Sequence, residues 1–353
     1  MASLLDQIPP SWLVGAVRGL YALPKPVRAL LAGPPIRDDG QSLDVDMRLL
    51  LRLVKLENFT MSGGSPEKGR AVLDESAPMT SGATIPCQVR ELIVADSVPA
   101  RLYTPIGLAA GSPLLVFLHG GGWVVGSLDS HDNTCRFLAE NAGARVLSVD
   151  YRLAPEHPFP AAVDDALAAF DWAVAHAGEL GADPDLVAIG GDSAGGNLAA
   201  VVCHQRARSG GPVPVFALLC YPAVDFTSRR PSRARYAEGL FLTGADMDWF
   251  EGHYVPDPVD RVDPRASVLL AEDLSGFPPT YLATAGFDPL RDDGEAFAAR
   301  LREFGVAVAV RRHPDLIHGF ISFLGAGNRP REATAEAAGA LRAGFAVAQA
   351  KQT

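Results

Sequence analysis

The sequence predicts an α/β protein: an eight-stranded, mostly parallel sheet flanked by helices and roofed by a helical cap. Three observations carry this prediction. From about Val89 to the C-terminus, short apolar runs alternate with helical patterns, as in parallel strands joined by crossover helices. Between Cys220 and Thr280 the alternation stops for longer than a loop requires. Up to about Pro86 the chain reads helical or irregular, with no strand alternation.

In the N-terminal part, Leu43, Met47, Leu50, Leu51, Val54 and Leu56 fall at helical spacing after the turn signal Asp38-Asp39-Gly40, and a Gly/Ser/Pro-rich stretch runs from Ser62 to Pro66. The candidate strands are Val89–Ala95, Ala100–Thr104, Leu114–Leu118, Arg145–Val149, Leu186–Ile189, Val215–Cys220, Thr280–Thr284 and Val306–Arg311. Helical stretches such as Ala161–Ala177, Ala194–Ala207 and Gly294–Glu303 lie between them. The first two strands leave no room for a helix and should form an antiparallel hairpin. Residues 1–86 therefore read as a helical segment contributing to the cap, 87–223 and 266–353 as the catalytic domain, and 224–265 as the cap insertion.

Composition narrows the function classes. The chain has 353 residues, 48% hydrophobic and 20% charged, with a formal net charge of -10. That balance argues against a nucleic-acid partner, which needs clustered Lys and Arg. Cys87, Cys135, Cys203 and Cys220 are far apart, at neither metal-ligand nor paired spacing, and read as small hydrophobes. Asp6 and Arg18 spoil a signal-peptide reading, and no stretch approaches the ~20 apolar residues of a span, so stable membrane insertion is not expected and a cytoplasmic location is. The segment holding Trp12, Leu13, Val14 and Val17 should pack on the protein, with peripheral membrane association as the alternative.

Gly191-Asp192-Ser193-Ala194-Gly195 is the one G-x-S-x-G of the chain. A strand-like run precedes it and a helix-forming run follows. That context places Ser193 on a sharp strand-to-helix turn with its hydroxyl exposed. A serine hydroxyl is a poor nucleophile without a base. His119-Gly120-Gly121-Gly122 follows another strand, and there the N–H groups of Gly121 and Gly122, with that of Ala194, can meet an oxyanion. His119 itself reads as a pin for this loop. A nucleotide-binding turn is excluded because Val125 stands where a third glycine would be needed.

In sites of this type the triad runs in the order Ser, Asp or Glu, His. Asp288, just after the strand Thr280–Thr284, is the acid candidate; Asp292 and Asp293 open a predicted helix and read as solvated dipole partners. His318 follows the last strand and is the base candidate, whereas His131, His157, His176, His204 and His253 precede Asp288.

Together, His119-Gly120-Gly121-Gly122-Trp123, Asp150-Tyr151-Arg152-Leu153-Ala154-Pro155-Glu156, Gly191-Asp192-Ser193-Ala194-Gly195-Gly196, Asp288-Pro289-Leu290-Arg291-Asp292 and His318-Gly319-Phe320 resemble, in motif and order, the hormone-sensitive-lipase-like family of bacterial esterases. The resemblance implies an α/β-hydrolase fold and hydrolysis of esters with short to medium acyl chains, with no metal and no cofactor and with a small-molecule ester as the substrate partner. It further implies a Ser-His-Asp triad working through an acyl-enzyme, a cap from the N-terminal helices and one insertion, and a homodimer through the last strand and its adjacent helix. Trp123, Phe241, Leu242 and Trp249 are candidates for the substrate pocket, with the core of the cap as the competing role. Asp150–Pro160 reads as a rigid support beneath the oxyanion turn.

Overall fold

A computed structural model describes residues 10–56, 62 and 64–352, so the readings that rest on Asp6 and Gly63 lie outside the described residues. Four helices come first: α1 (Pro10–Tyr21), α2 (Lys25–Ala32), α3 (Val45–Leu56) and α4 (Pro66–Thr80). Two-residue strands β1 (Arg37–Asp38) and β2 (Gln41–Ser42) pair between α2 and α3. They were not expected there. The turn signal at Asp38-Asp39-Gly40 is the cause: Asp39 (φ 53°) and Gly40 (φ 71°) both adopt the left-handed conformation that closes a tight hairpin. Leu43, Met47 and Leu50 are buried, while Leu56, at the end of the same pattern, is exposed.

The main sheet is built from β3 (Cys87–Val94), β4 (Val98–Pro105), β5 (Ser112–Leu118), β6 (Arg145–Val149), β7 (Ala182–Asp192), β8 (Ala217–Cys220), β9 (Thr280–Phe287) and β10 (Val308–Ile317). Its order is β10-β9-β8-β7-β5-β6-β4-β3. The β3–β4 hairpin and the β4–β6 pair are antiparallel, and every other pair is parallel. The connecting helices are α5 (Asp132–Ala142), α6 (Ala161–Ala175), α7 (Ala194–Ser209), α8 (Pro231–Arg235), α9 (Gly244–Tyr254), α10 (Arg291–Glu303) and α11 (Arg329–Ala350). Two apolar cores, one on each face of the sheet, explain why the central strands read as unbroken apolar runs: every residue of β6 and β9 is buried. This is the α/β-hydrolase architecture. Among the described residues no helix is long and apolar enough to cross a membrane. All four cysteines are thiols, three of them buried.

Three strands run three or more residues beyond the limits the sequence suggested, β9 continuing from Thr284 to Phe287, just before Asp288. β7 begins at Ala182, ahead of the expected Leu186, through polar residues at the exposed foot of the strand. β10 continues past Pro314 to Ile317 because it is an edge strand, where proline removes no ladder bond. The C-terminal ends of β5, β7, β9 and β10 all point to one side, and each is followed by a residue of the site.

Candidate active site

At the end of β7 the chain turns into α7 through Ser193, whose backbone is held at φ 55°, ψ -116°, a strained conformation for a residue with a side chain. The turn fits only because its neighbours are small. A Cβ on Gly195 would lie 1.9 Å from the Leu118 carbonyl oxygen at the end of β5. The turn is tied down by Ser193 N–H donating to Cys220 O (2.9 Å) and by Ala223 N–H donating to Ser193 O (3.2 Å).

Three side chains from three strand ends meet in line. Ser193 Oγ lies 2.9 Å from His318 Nε2, and His318 Nδ1 lies 2.9 Å from Asp288 Oδ2. The carboxylate partner fixes the proton on Nδ1, which leaves Nε2 free to accept the serine proton. Asp288 is fully buried, and its other oxygen accepts the Leu290 N–H at 2.8 Å. That second bond fixes the carboxylate plane.

The glycine loop after β5 faces this line. The N–H groups of Gly121 and Gly122 meet no protein acceptor among the described residues. Ala194, the first residue of α7, carries a helix-terminal N–H beside the serine. The loop closes on itself, with Val124 and Val125 N–H both donating to Gly121 O (3.2 and 2.9 Å). Beneath it, His119 Nδ1 bonds Gly120 O at 2.8 Å, and its ring stacks on Tyr151 at 4.4 Å. Tyr151 in turn donates to His119 O at 2.7 Å. The Asp150–Pro160 stretch thus reaches the oxyanion loop through Tyr151.

His119 has a consequence for stability. Complete burial first, and then the neighbouring His131, push its pKa down to about 4. The unfolded chain takes up this proton near the ordinary value of ~6.5, the folded protein only near 4. His119 therefore costs nothing above the unfolded value and destabilises progressively as pH falls through that window. The loss is on the order of 3 kcal/mol when complete. Urea unfolding at about pH 7.5 and about pH 4.5 should show a smaller pH-dependent loss in His119→Gln than in the unsubstituted protein.

Sequence reasoning missed the hub behind the nucleophile. The buried Asp192 carboxylate accepts Gly120 N–H (2.9 Å), lies 3.2 Å from His131 Nε2 and accepts from Tyr221 OH (3.4 Å). Tyr221 OH also accepts the Ile321 N–H at 3.4 Å, and its ring lies 4.7 Å from that of His318. Burial would raise the Asp192 carboxyl, but His131, His318 and the Gly120 N–H outweigh it and hold the group below its ordinary value. Asp192 thus joins the nucleophile turn to the glycine loop, through partners that lie far from it in sequence.

The pocket above the serine is mainly apolar. Trp123, Phe241 and Leu242 line it, as do Met247 and Phe250 of α9, Leu73 of α4, Leu50, Leu53 and Val54 of α3, and Val17 of α1. Trp249 does not line it. Met247, Phe250 and Glu251 sit at i, i+3 and i+4 on α9 and share the pocket face. Trp249, about 200° round the helix from Met247, packs instead on Phe250 (5.3 Å) and His253 (4.4 Å).

Asp293 also departs from the sequence reading. It is not a solvated helix-start acid but is fully buried, accepting from Arg233 Nε (3.0 Å), Arg230 Nη1 (3.2 Å) and the Ser228 hydroxyl. Arg233, at the pocket edge, also donates to Glu251 Oε1 (2.9 Å) and Asp225 O (2.8 Å), so α8, α9 and α10 are clamped at one point. Asp292 is half-buried, paired with Arg291 at 2.9 Å and capped by Ser232 N–H. Asp293→Ala removes the buried carboxylate that the two arginines share, leaving Arg233 with Glu251 and Arg230 with Asp225 (3.1 Å). It should cost about 3 kcal/mol, read as a lower denaturation midpoint.

Comparison with known proteins places the chain. A family model described as alpha/beta hydrolase fold matches residues 115–322. The carboxylic ester hydrolase LipN of Mycobacterium tuberculosis is 46% identical over 341 residues, covering 93% of this chain and 90% of the relative. The ethyl acetate hydrolase of Pseudomonas putida is 39% identical over 293 residues, covering 79% of this chain and 92% of the relative. The solved structure of an ester hydrolase from the Lake Arreo metagenome, in complex with a bipyridine phosphonate derivative, superposes with a TM-score of 0.82 at 41% identity, covering 86% of this chain and 99% of that one. With the glycine loop, the serine turn and the buried carboxylate–histidine pair in the family's order, the chain belongs to the hormone-sensitive-lipase-like family of α/β-hydrolase-fold esterases.

Proposed function

We propose that this protein is a carboxylesterase that hydrolyses esters with short to medium acyl chains through Ser193, His318 and Asp288. The observation that carries the reading is the continuous bonding from Ser193 Oγ through His318 to a fully buried Asp288, opposite the open N–H groups of Gly121 and Gly122. The ester hydrolases among its relatives support the reaction class.

In the first step Ser193 Oγ forms a bond to the ester carbonyl carbon while its proton passes to His318 Nε2. The oxyanion is held by the N–H groups of Gly121, Gly122 and Ala194. Asp288 stabilises the imidazolium and keeps the ring oriented. Collapse breaks the bond to the alcohol oxygen, which leaves with the proton from Nε2. Water then gives a proton to the same nitrogen, attacks the acyl-enzyme and releases the acid and the serine.

Residues 1–86 and 224–265 act as a cap on a catalytic domain of 87–223 and 266–353. Trp123, Phe241, Leu242, Met247 and Phe250 contact the acyl or alcohol group. A cytoplasmic location belongs to this reading. The unpaired edge of β10, with α11 beside it, supports a homodimer through these two elements. The test is a rate profile on p-nitrophenyl esters from acetate to palmitate, with Ser193→Ala as control. A maximum at short chains that disappears in the variant supports the reading. A folded protein inactive on every ester sinks it.

A further inference from the structure

The surface of α2 is inverted. Leu23, just before the helix, and Val27, Leu30 and Leu31 within it follow the i, i+4, i+7, i+8 spacing of one helical face. That face looks outward: Leu30 is 81% exposed, Val27 41%, Leu31 40% and Leu23 36%. The inward face holds Ala32, which is buried, and Arg28, which pairs with the buried Asp46 of α3. An apolar stripe in water beside an arginine turned inward is the reverse of an ordinary surface helix. In α1 the expected packing holds only in part: Val17 turns into the pocket, whereas Trp12 is 73% exposed.

Among the described residues, the exposed charges on α2 and α3 are cationic, Asp46 being buried against Arg28. No acidic residue occurs from Pro10 to Arg37, in a chain whose formal charge is -10. Lys25 on α2, and Arg52 and Lys55 on α3, which packs against it, are exposed and form no ion pair among the described residues. A second copy docked by this face about a two-fold axis would bring the same cations together from both sides. An anionic surface with an apolar interior satisfies both features.

We infer that α2 docks the protein on anionic lipid surfaces. Leu23, Val27, Leu30 and Leu31 enter the acyl boundary, while Lys25, Arg52 and Lys55 lie at the headgroups. Leu50, Leu53 and Val54 of α3 wall the pocket above Ser193, so docking sets that wall beside the phase in which apolar esters collect. This consequence rests on the esterase reading; the docking itself does not and is measured without substrate.

The experiment is co-sedimentation of the full chain with vesicles of phosphatidylcholine, alone or with a minority of phosphatidylglycerol. Binding should require phosphatidylglycerol and decline with added salt. It should be lost in the double variant Leu30→Ser/Leu31→Ser and fall about fivefold in Lys25→Ala. Those leucines are solvent-facing, so the double variant should keep the helical circular dichroism and the p-nitrophenyl acetate turnover of the parent protein. Ser193→Ala should bind like the parent, separating a failed docking reading from a failed esterase reading. Equal binding by the double variant, no binding to either vesicle, or a solution dimer that the double variant dissociates would each overturn the inference.

Discussion

Ser193→Ala is expected to fold like the parent protein and to lose ester turnover by on the order of 10⁵–10⁶-fold. The geometry explains the size. Ser193 Oγ is the atom positioned to form the acyl bond, and it accounts for one of the two 2.9 Å contacts that define the line to Asp288. Without it, His318 still holds its proton on Nδ1 against Asp288, but Nε2 has only water to activate. The glycine loop can still polarise a carbonyl, so a residual rate about 10³–10⁴-fold above that in water should persist. Stability should change by less than about 1 kcal/mol, because only one hydroxyl hydrogen bond is removed. Denaturation midpoint and steady-state kinetics on one short-chain ester check both halves. A variant retaining most of its turnover would refute the assignment of the nucleophile.

The second large effect belongs to Gly121→Ala. Gly121 has φ 121°, outside the conformations open to residues with a side chain, and an added Cβ would stand 2.2 Å from Val125 O. No side-chain rotation relieves that contact, because both sides are backbone. The turn held by Val124 and Val125 on Gly121 O must open, moving the N–H groups of Gly121 and Gly122 together. Each misplaced donor is worth about 10²–10³-fold in kcat, so the combined loss should reach at least ~10³-fold. The effect should fall on kcat far more than on KM, since the N–H groups act mainly on charge that develops during reaction. Normal kcat in a folded Gly121→Ala protein would move the oxyanion site elsewhere.

Much of this architecture was legible in the sequence because its signals are local. Apolar runs such as Leu114–Leu118 and Arg145–Val149 are strands buried on both faces, and the structure places them within a residue or two of the expected limits. Where the reading stopped short, local and tertiary preferences conflict. Pro314 signals an end to β10, yet the free edge of the sheet tolerates it. Candidate residues adjoining glycine-rich turns could be named because those turns carry motifs. The Asp192–His131–Tyr221 hub could not, since it joins β7, the residue before α5 and the end of β8, and only the strand order makes them neighbours. Asp293 was misjudged for the same reason. The start of a helix is a polar place unless, as here, two arginines from another segment are folded against it.

The pocket has two authors within one chain. The groups positioned for proton transfer follow strand ends between Leu118 and His318, inside the stretch that matches the family model. Much of the opposite wall comes from Val17, Leu50, Leu53, Val54 and Leu73, all ahead of that stretch. Substitutions that change substrate shape and substitutions that change reactivity can therefore fall on separate segments of the chain. An exchange of Leu50 or Val54 would reshape the space for an ester while leaving every bond in the serine–histidine–aspartate line untouched. The early helices are the part of this protein from which new specificities can be drawn at the least risk to its chemistry.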